Sequence, residues 1–104
     1  MQYYIYLVNL EPRSGSEPEK SRPCIIVSPD ELNRHLLTVV IVPLTTTVRE
    51  WPFRPMIRYA GKKCDACVDQ IRVIDKKRLM KRKGKIRIDE IQSLKEIIRE
   101  TYID

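Results

Sequence analysis

The apolar residues of this chain come in short runs, and that punctuation constrains the fold more than any other feature. Residues 3–10, 24–28, 38–42, 52–59 and 66–74 are rich in branched and aromatic side chains, with turn formers or charged residues between them. Runs this short read as β-strands. The 38–42 run, Thr-Val-Val-Ile-Val, is the most apolar and is expected to be a central strand ending at Pro43. The 52–59 run is expected at an edge, because Pro55 lacks the N–H that a central ladder uses. Residues 11–23, with three prolines and a glycine, read as a loop. Residues 29–33 read as a turn or a single helical turn, and 60–63 as a turn. Residues 75–83 are expected to hold a short helical turn broken by Gly84, with a brief strand over 85–88.

Only the end of the chain changes period. Ile91, Leu94, Ile97, Ile98 and Tyr102 recur at helical spacing, with Lys95, Glu96, Arg99 and Glu100 on the opposite face. The pattern predicts a helix over 90–101, capped by Asp89, with Gln92 three residues later in a variant capping box. Several short strands followed by one amphipathic helix predict a mainly β fold. The expected form is a small, partly closed antiparallel barrel with the C-terminal helix packed on it.

The length of 104 residues fits one domain spanning 1–104, and 42% apolar with 33% charged residues marks a globular chain. The net charge is +6 but local. Lys76, Lys77, Arg78, Lys81, Arg82, Lys83, Lys85 and Arg87 fall within residues 76–87, which hold no acid. Taking that +8 from the total leaves −2 for the rest of the chain. Such a segment is either a polyanion-facing patch or a solvated loop. Three cysteines, an odd count, argue against a disulfide framework. Cys64-Asp-Ala-Cys67 has C-x-x-C spacing, but zinc would need two more ligands and only Cys24 and His35 remain. Ordinary buried or half-buried thiols are expected. No apolar run approaches the ~20 residues of a membrane span. The first residues, Met1-Gln2-Tyr3-Tyr4, lack the basic region and long apolar stretch of a secretory signal. A cytoplasmic address with no membrane partner is the expectation.

A series of motifs then narrows the reading. Tyr6-Leu-Val-Asn-Leu-Glu-Pro12 is followed by Gly15-Ser16-Glu17, by Arg22-Pro23 before an apolar strand ending Val27-Ser28, and by Asn33-Arg34. Val42-Pro43-Leu44-Thr45-Thr46 and Trp51-Pro52-Phe53 come next, then Asp69-Gln70-Ile71-Arg72, Ile74-Asp75 and Arg78-Leu79. In this order and spacing the chain resembles the MazF/PemK toxins of bacterial toxin–antitoxin pairs over nearly its whole length. It departs from them in having Tyr3-Tyr4 where members usually carry a glycine and an acid before the first strand, and in Cys64 and Cys67, which lie outside the family pattern.

The resemblance implies an SH3-like barrel, a homodimer, an acidic cognate antitoxin, and cleavage of single-stranded mRNA at specific sequences without a metal or other cofactor. It implies Arg22 and Thr45 as the catalytic pair. It also maps a groove-shaping loop onto residues 13–21, so that Arg13, Ser16, Glu17 and Lys20 are expected to touch RNA, along with Ser28, Thr46 and Gln70. Glu17 would contact a base edge or cap the loop. Gln70 would read RNA or complete an interface hydrogen bond. Trp51 and Phe53 could stack on unpaired bases or fill the core.

The chemistry is consistent with these residue types. RNA carries its own nucleophile, the 2′-hydroxyl, so the protein's task is to neutralise charge on the phosphoryl oxygens. An arginine fork donates two bonds to a phosphate, and a threonine hydroxyl can add another or position the attacking group. Arginine is a poor proton acceptor, and the lone histidine, His35, lies outside the motifs and is expected at the surface. Two rivals share the barrel: a non-catalytic CcdB-type gyrase poison, and an inactive relic that binds RNA. The presence of both Arg22 and Thr45 disfavours the first.

Overall fold

The computed structural model describes residues 1–10 and 21–104. Seven strands and two helices follow in the order β1 (Tyr4–Val8), β2 (Arg22–Ile26), α1 (Asp30–His35), β3 (Thr38–Thr45), β4 (Met56–Tyr59), β5 (Lys62–Ala66), β6 (Arg72–Asp75), β7 (Leu79–Lys85) and α2 (Ile88–Tyr102). All strand pairs are antiparallel. The sheet order is β4-β5-β3-β2-β1-β7, with β6 paired to β3. The sheet curls into a half-barrel with α2 packed on it, the architecture expected from the alternation of short runs.

The central strands are apolar on both sides because each side faces a core. Ile25, Val42 and Leu44 join Ile57, Val68 and Leu94 in one cluster; Cys24, Ile26, Val39 and Ile41 join Val8 and Ile74 in another. β3 runs through Pro43 to Thr45 rather than ending at the proline. In an antiparallel strand a residue's N–H and C=O point to the same neighbour. The Pro43 carbonyl accepts from Cys67 N at 2.8 Å, so its missing N–H falls on that side, where a 3-10 turn (Val68–Gln70) separates β5 from β6 and no ladder donor is required. The two-residue turn Ala60-Gly61 joins β4 to β5 with φ of 53° and 76°, the left-handed pair that matches hairpin twist.

Other expectations are corrected. Residues 66–74 are not one strand: β5 ends at Ala66, the chain turns through Val68–Gln70, and β6 begins at Arg72. The short helical turn expected within 75–83 is present as a 3-10 turn at Lys76–Arg78, but the basic segment after it forms strand β7, paired to β1. No separate strand forms over 85–88: Lys85 is the last residue of β7 and α2 starts at Ile88. Asp89 does not cap that helix. Arg87 is the N-cap, and Glu90 Oε1 accepts from Arg87 N at 2.8 Å while Oε2 accepts from Arg58 N at 2.8 Å. β4 lies at the sheet edge as expected, but starts only after Pro55.

Candidate active site

β2 and β3 pair with Cys24 opposite Pro43 and Ile25 opposite Val42. The same register, continued two residues, runs to Arg22 and Thr45. Both residues line a pocket of about 370 Å³, together with Pro23, Leu44, Thr46, Tyr59, Ala60, Lys62 and Cys64. Among the described residues no acidic side chain lines the pocket, and Arg22 and Lys62 are the cations it presents to an anion.

Arg22 is half-buried and held from three directions. Its Nε donates to the Leu44 carbonyl at 3.0 Å, Nη1 to Gln70 Oε1 at 3.2 Å, and Nη2 to Cys67 Sγ at 3.5 Å. A guanidinium has five N–H donors, so two are without a partner among the described residues, the number a bidentate phosphate contact uses. Burial raises the Cys67 thiol above its ordinary value, outweighing the cations Arg54 and Arg22, so the sulfur meets Arg22 as a neutral acceptor. Burial likewise pushes Cys24 up to about 12 and raises Cys64. All three cysteines are free, buried thiols, as expected. Among the described residues no group of three or more His, Cys, Asp or Glu side chains is placed to hold a metal ion.

Thr45 Oγ1 accepts from Thr47 N at 3.2 Å, an arrangement that leaves its own proton to donate. The adjoining loop is pinned from behind. Asp65, buried opposite Thr45 on β5, accepts from Arg49 N at 3.0 Å. Arg54 forms two hydrogen bonds to Asp69, at 2.9 and 3.0 Å, and lies 4.5 Å from the Trp51 ring centroid. Trp51 and Phe53 contact each other at 5.3 Å between centroids and are 40% and 38% exposed, so they do not fill the core.

The expected residues divide clearly. Arg22, Thr45 and Thr46 meet at the pocket, and Gln70 holds Arg22 from the end of a 3-10 turn rather than from a strand. Ser28 is corrected: it is buried, its hydroxyl donates to Asn33 Oδ1 at 2.6 Å and accepts from Val40 N at 3.0 Å, and it is committed to the fold rather than open to RNA. Arg13, Ser16, Glu17 and Lys20 lie outside the described residues. His35 is exposed on α1, its Nδ1 2.8 Å from the Glu31 carbonyl oxygen. Sequence reasoning missed Cys67, Tyr59 and Lys62. The C-x-x-C spacing marked Cys67 for the wrong chemistry, and nothing local marked the other two.

The family model of the PemK-like, MazF-like toxins of type II toxin–antitoxin systems matches residues 1–102. The chain belongs to this family. Endoribonuclease MazF9 of Mycobacterium tuberculosis is 29% identical over 105 residues, covering 91% of this chain and 89% of that protein. Among solved structures, M. tuberculosis toxin MazF-mt6 superposes with a TM-score of 0.80 at 22% identity, covering 95% of both chains. A mycobacterial endoribonuclease in complex with its cognate antitoxin matches at 0.80 and 24% identity, covering 96% and 91%. A MazE–MazF complex from Deinococcus radiodurans matches at 0.81 and 19% identity, covering 95% and 91%. These structural likenesses establish a shared fold. In this MazF/PemK toxin, Arg22 opens β2 and Thr45 closes β3, and the Cys67 thiol lies against the arginine.

Proposed function

We propose that this toxin is an endoribonuclease that cuts single-stranded mRNA at Arg22 and Thr45. The supporting observation is their convergence on one pocket from adjacent strands; among the described residues no acid lines it and two guanidinium protons have no partner. The 2′-oxygen attacks the adjacent phosphorus, and the bond from phosphorus to the 5′-oxygen breaks. The 2′-hydroxyl loses its proton and the departing 5′-oxygen gains one, leaving a 2′,3′-cyclic phosphate and a 5′-hydroxyl. Arg22 holds the phosphoryl oxygens as negative charge builds on them, the kind of preorganised stabilisation that is usually the largest single contribution to an enzyme's rate enhancement. Thr45 donates a further bond or orients the attacking hydroxyl. Since the substrate supplies the nucleophile, this route asks no metal of the protein.

The assembly follows the same reading. A homodimer works in the cytoplasm and is restrained by an acidic antitoxin, whose charge complements a chain of net +6. The gyrase-poison reading finds no support beside a relative named as an endoribonuclease.

The test is purified toxin incubated with a long unstructured RNA in EDTA. Cleavage at discrete sites, with 5′-hydroxyl and cyclic-phosphate ends, is expected. Arg22→Ala and Thr45→Ala should each lower the rate by about 10²-fold or more. Arg22→Lys should not restore it, because an ammonium lacks the planar fork. Intact RNA at high toxin concentration would overturn the proposal.

A further inference from the structure

The basic segment that dominates the charge of the chain has no part in the chemistry above. It forms β7, and β7 is irregular where it matters. Tyr4 pairs with Lys85, Ile5 with Gly84 and Tyr6 with Arg82, which leaves Lys83 as an extra, bulged residue. Gly84 has φ +152°, a conformation that L side chains rarely adopt, so glycine permits the bulge. The curl of the sheet brings this stretch to the other sheet edge. Lys83, Gly84 and Lys85 line a pocket of about 340 Å³ with Ile5 and with Arg58, Tyr59 and Ala60 of the β4 end.

Tyr59 and Ala60 also line the Arg22–Thr45 pocket, so the two hollows adjoin across the β4–β5 turn. Among the described residues no acid lines either one. Among the described residues, Arg58, Lys62, Lys83 and Lys85 form no ion pair.

We infer that Arg58, Lys83 and Lys85 form a phosphate-binding track that holds the RNA backbone beyond the scissile bond, on the far side of Tyr59. This rests on the ribonuclease reading for what enters the first pocket. An acidic peptide could be drawn to the same charge, but continuity with the cleavage pocket assigns the track to the strand being cut. Its contacts are to phosphates, so it adds affinity and register without sequence preference.

The test measures binding of the intact toxin to a mixed-sequence, unstructured 2′-O-methyl oligoribonucleotide, which lacks the nucleophile, across a salt series. Lys83→Ala/Lys85→Ala should reduce the slope of log K against log salt by about 1.4, since each lost phosphate contact on a single strand contributes about 0.7. The matched double variant Lys95→Ala/Arg99→Ala, on α2, should leave the slope unchanged. An unaltered slope in the β7 variant would overturn the track. So would a β7 variant that keeps its RNA slope but loses affinity for an acidic peptide, which would make the ribbon a peptide dock. Failure of the ribonuclease reading looks different: wild-type toxin would bind with the full slope and the β7 variant would lose it, yet native RNA would stay intact.

Discussion

Arg22 is useful only if its guanidinium is already aimed, and the side chains that aim it come from residues 45 and 48 positions away. Gln70→Ala removes the Nη1 acceptor and leaves the pocket otherwise intact. The expected result is a fall in kcat/KM of about tenfold or more, the scale of one lost hydrogen bond from a charged donor, with little change in melting temperature because Gln70 is exposed. An unchanged rate would show that Leu44 and Cys67 suffice. Asp69, next to Gln70, adds a pH dependence. Hydrogen bonds from Arg54 hold its carboxyl below the ordinary carboxylate range. A lowered native pKa gives stability that is fully present above the unfolded value of about 3.9 and is lost as pH falls through the native value. Denaturant melts from neutral to acid pH should therefore show a shallower loss below about pH 4 for Asp69→Asn than for wild type. Parallel acid limbs would remove Asp69 from the balance. This clamp was not legible in the sequence. Arg-Pro and Thr-Thr took their meaning only from the resemblance, and no local pattern ties Cys67 or Gln70 to an arginine so far back along the chain.

At the scale of elements, conformational exceptions carry the most weight. Gly84→Ala puts a side chain at φ +152°, and although its Cβ would meet no atom within 4 Å, the backbone must shift. A loss of about 1–3 kcal/mol in urea unfolding is expected, with Lys83 moved from the groove. A loss near zero would mean that the bulge tolerates any residue. Glu90 joins two elements by accepting from Arg87 N on α2 and Arg58 N on β4, and is itself buried. Glu90→Ala should cost about 1–3 kcal/mol for the stranded donors, and Glu90→Gln, which keeps one acceptor oxygen, should cost less. Equal losses would show that packing, not capping, is at stake. The elements were legible in proportion to their periodicity. Ile91, Leu94, Ile97 and Ile98 announced α2 within two residues at its N-terminus. β7 was hidden because an exposed edge strand whose Leu79-Met80 is followed only by Lys, Arg and Gly shows no alternation of apolar and polar residues. The 66–74 run looked continuous because its turn, Val68–Gln70, contains no Gly or Pro and is followed by Ile71, Val73 and Ile74.

For the molecule as a whole, the question is how a helix at one end of the chain supports chemistry on strands at the other. α2 reaches the site by two routes. Leu94 is fully buried in the cluster that contains Leu44, Cys64 and Val68. Tyr102, half-exposed near the helix end, donates its hydroxyl to the Val68 carbonyl at 2.7 Å. Val68 opens the 3-10 turn that ends at Gln70, so the tyrosine tethers the element that aims Arg22. The two routes should separate experimentally. Leu94→Ala opens a cavity in the core and should cost about 2–5 kcal/mol. The molecules that stay folded should nonetheless retain most of their cleavage rate, because the clamp on Arg22 is untouched. Tyr102→Phe keeps the ring and should cost only about 1 kcal/mol, the net worth of one hydrogen bond. Yet it frees the turn, so kcat should drop several-fold while KM stays close to wild type, as expected when orientation rather than binding is lost. A Tyr102→Phe protein that cleaves RNA at the wild-type rate would show that the turn holds Arg22 without the helix.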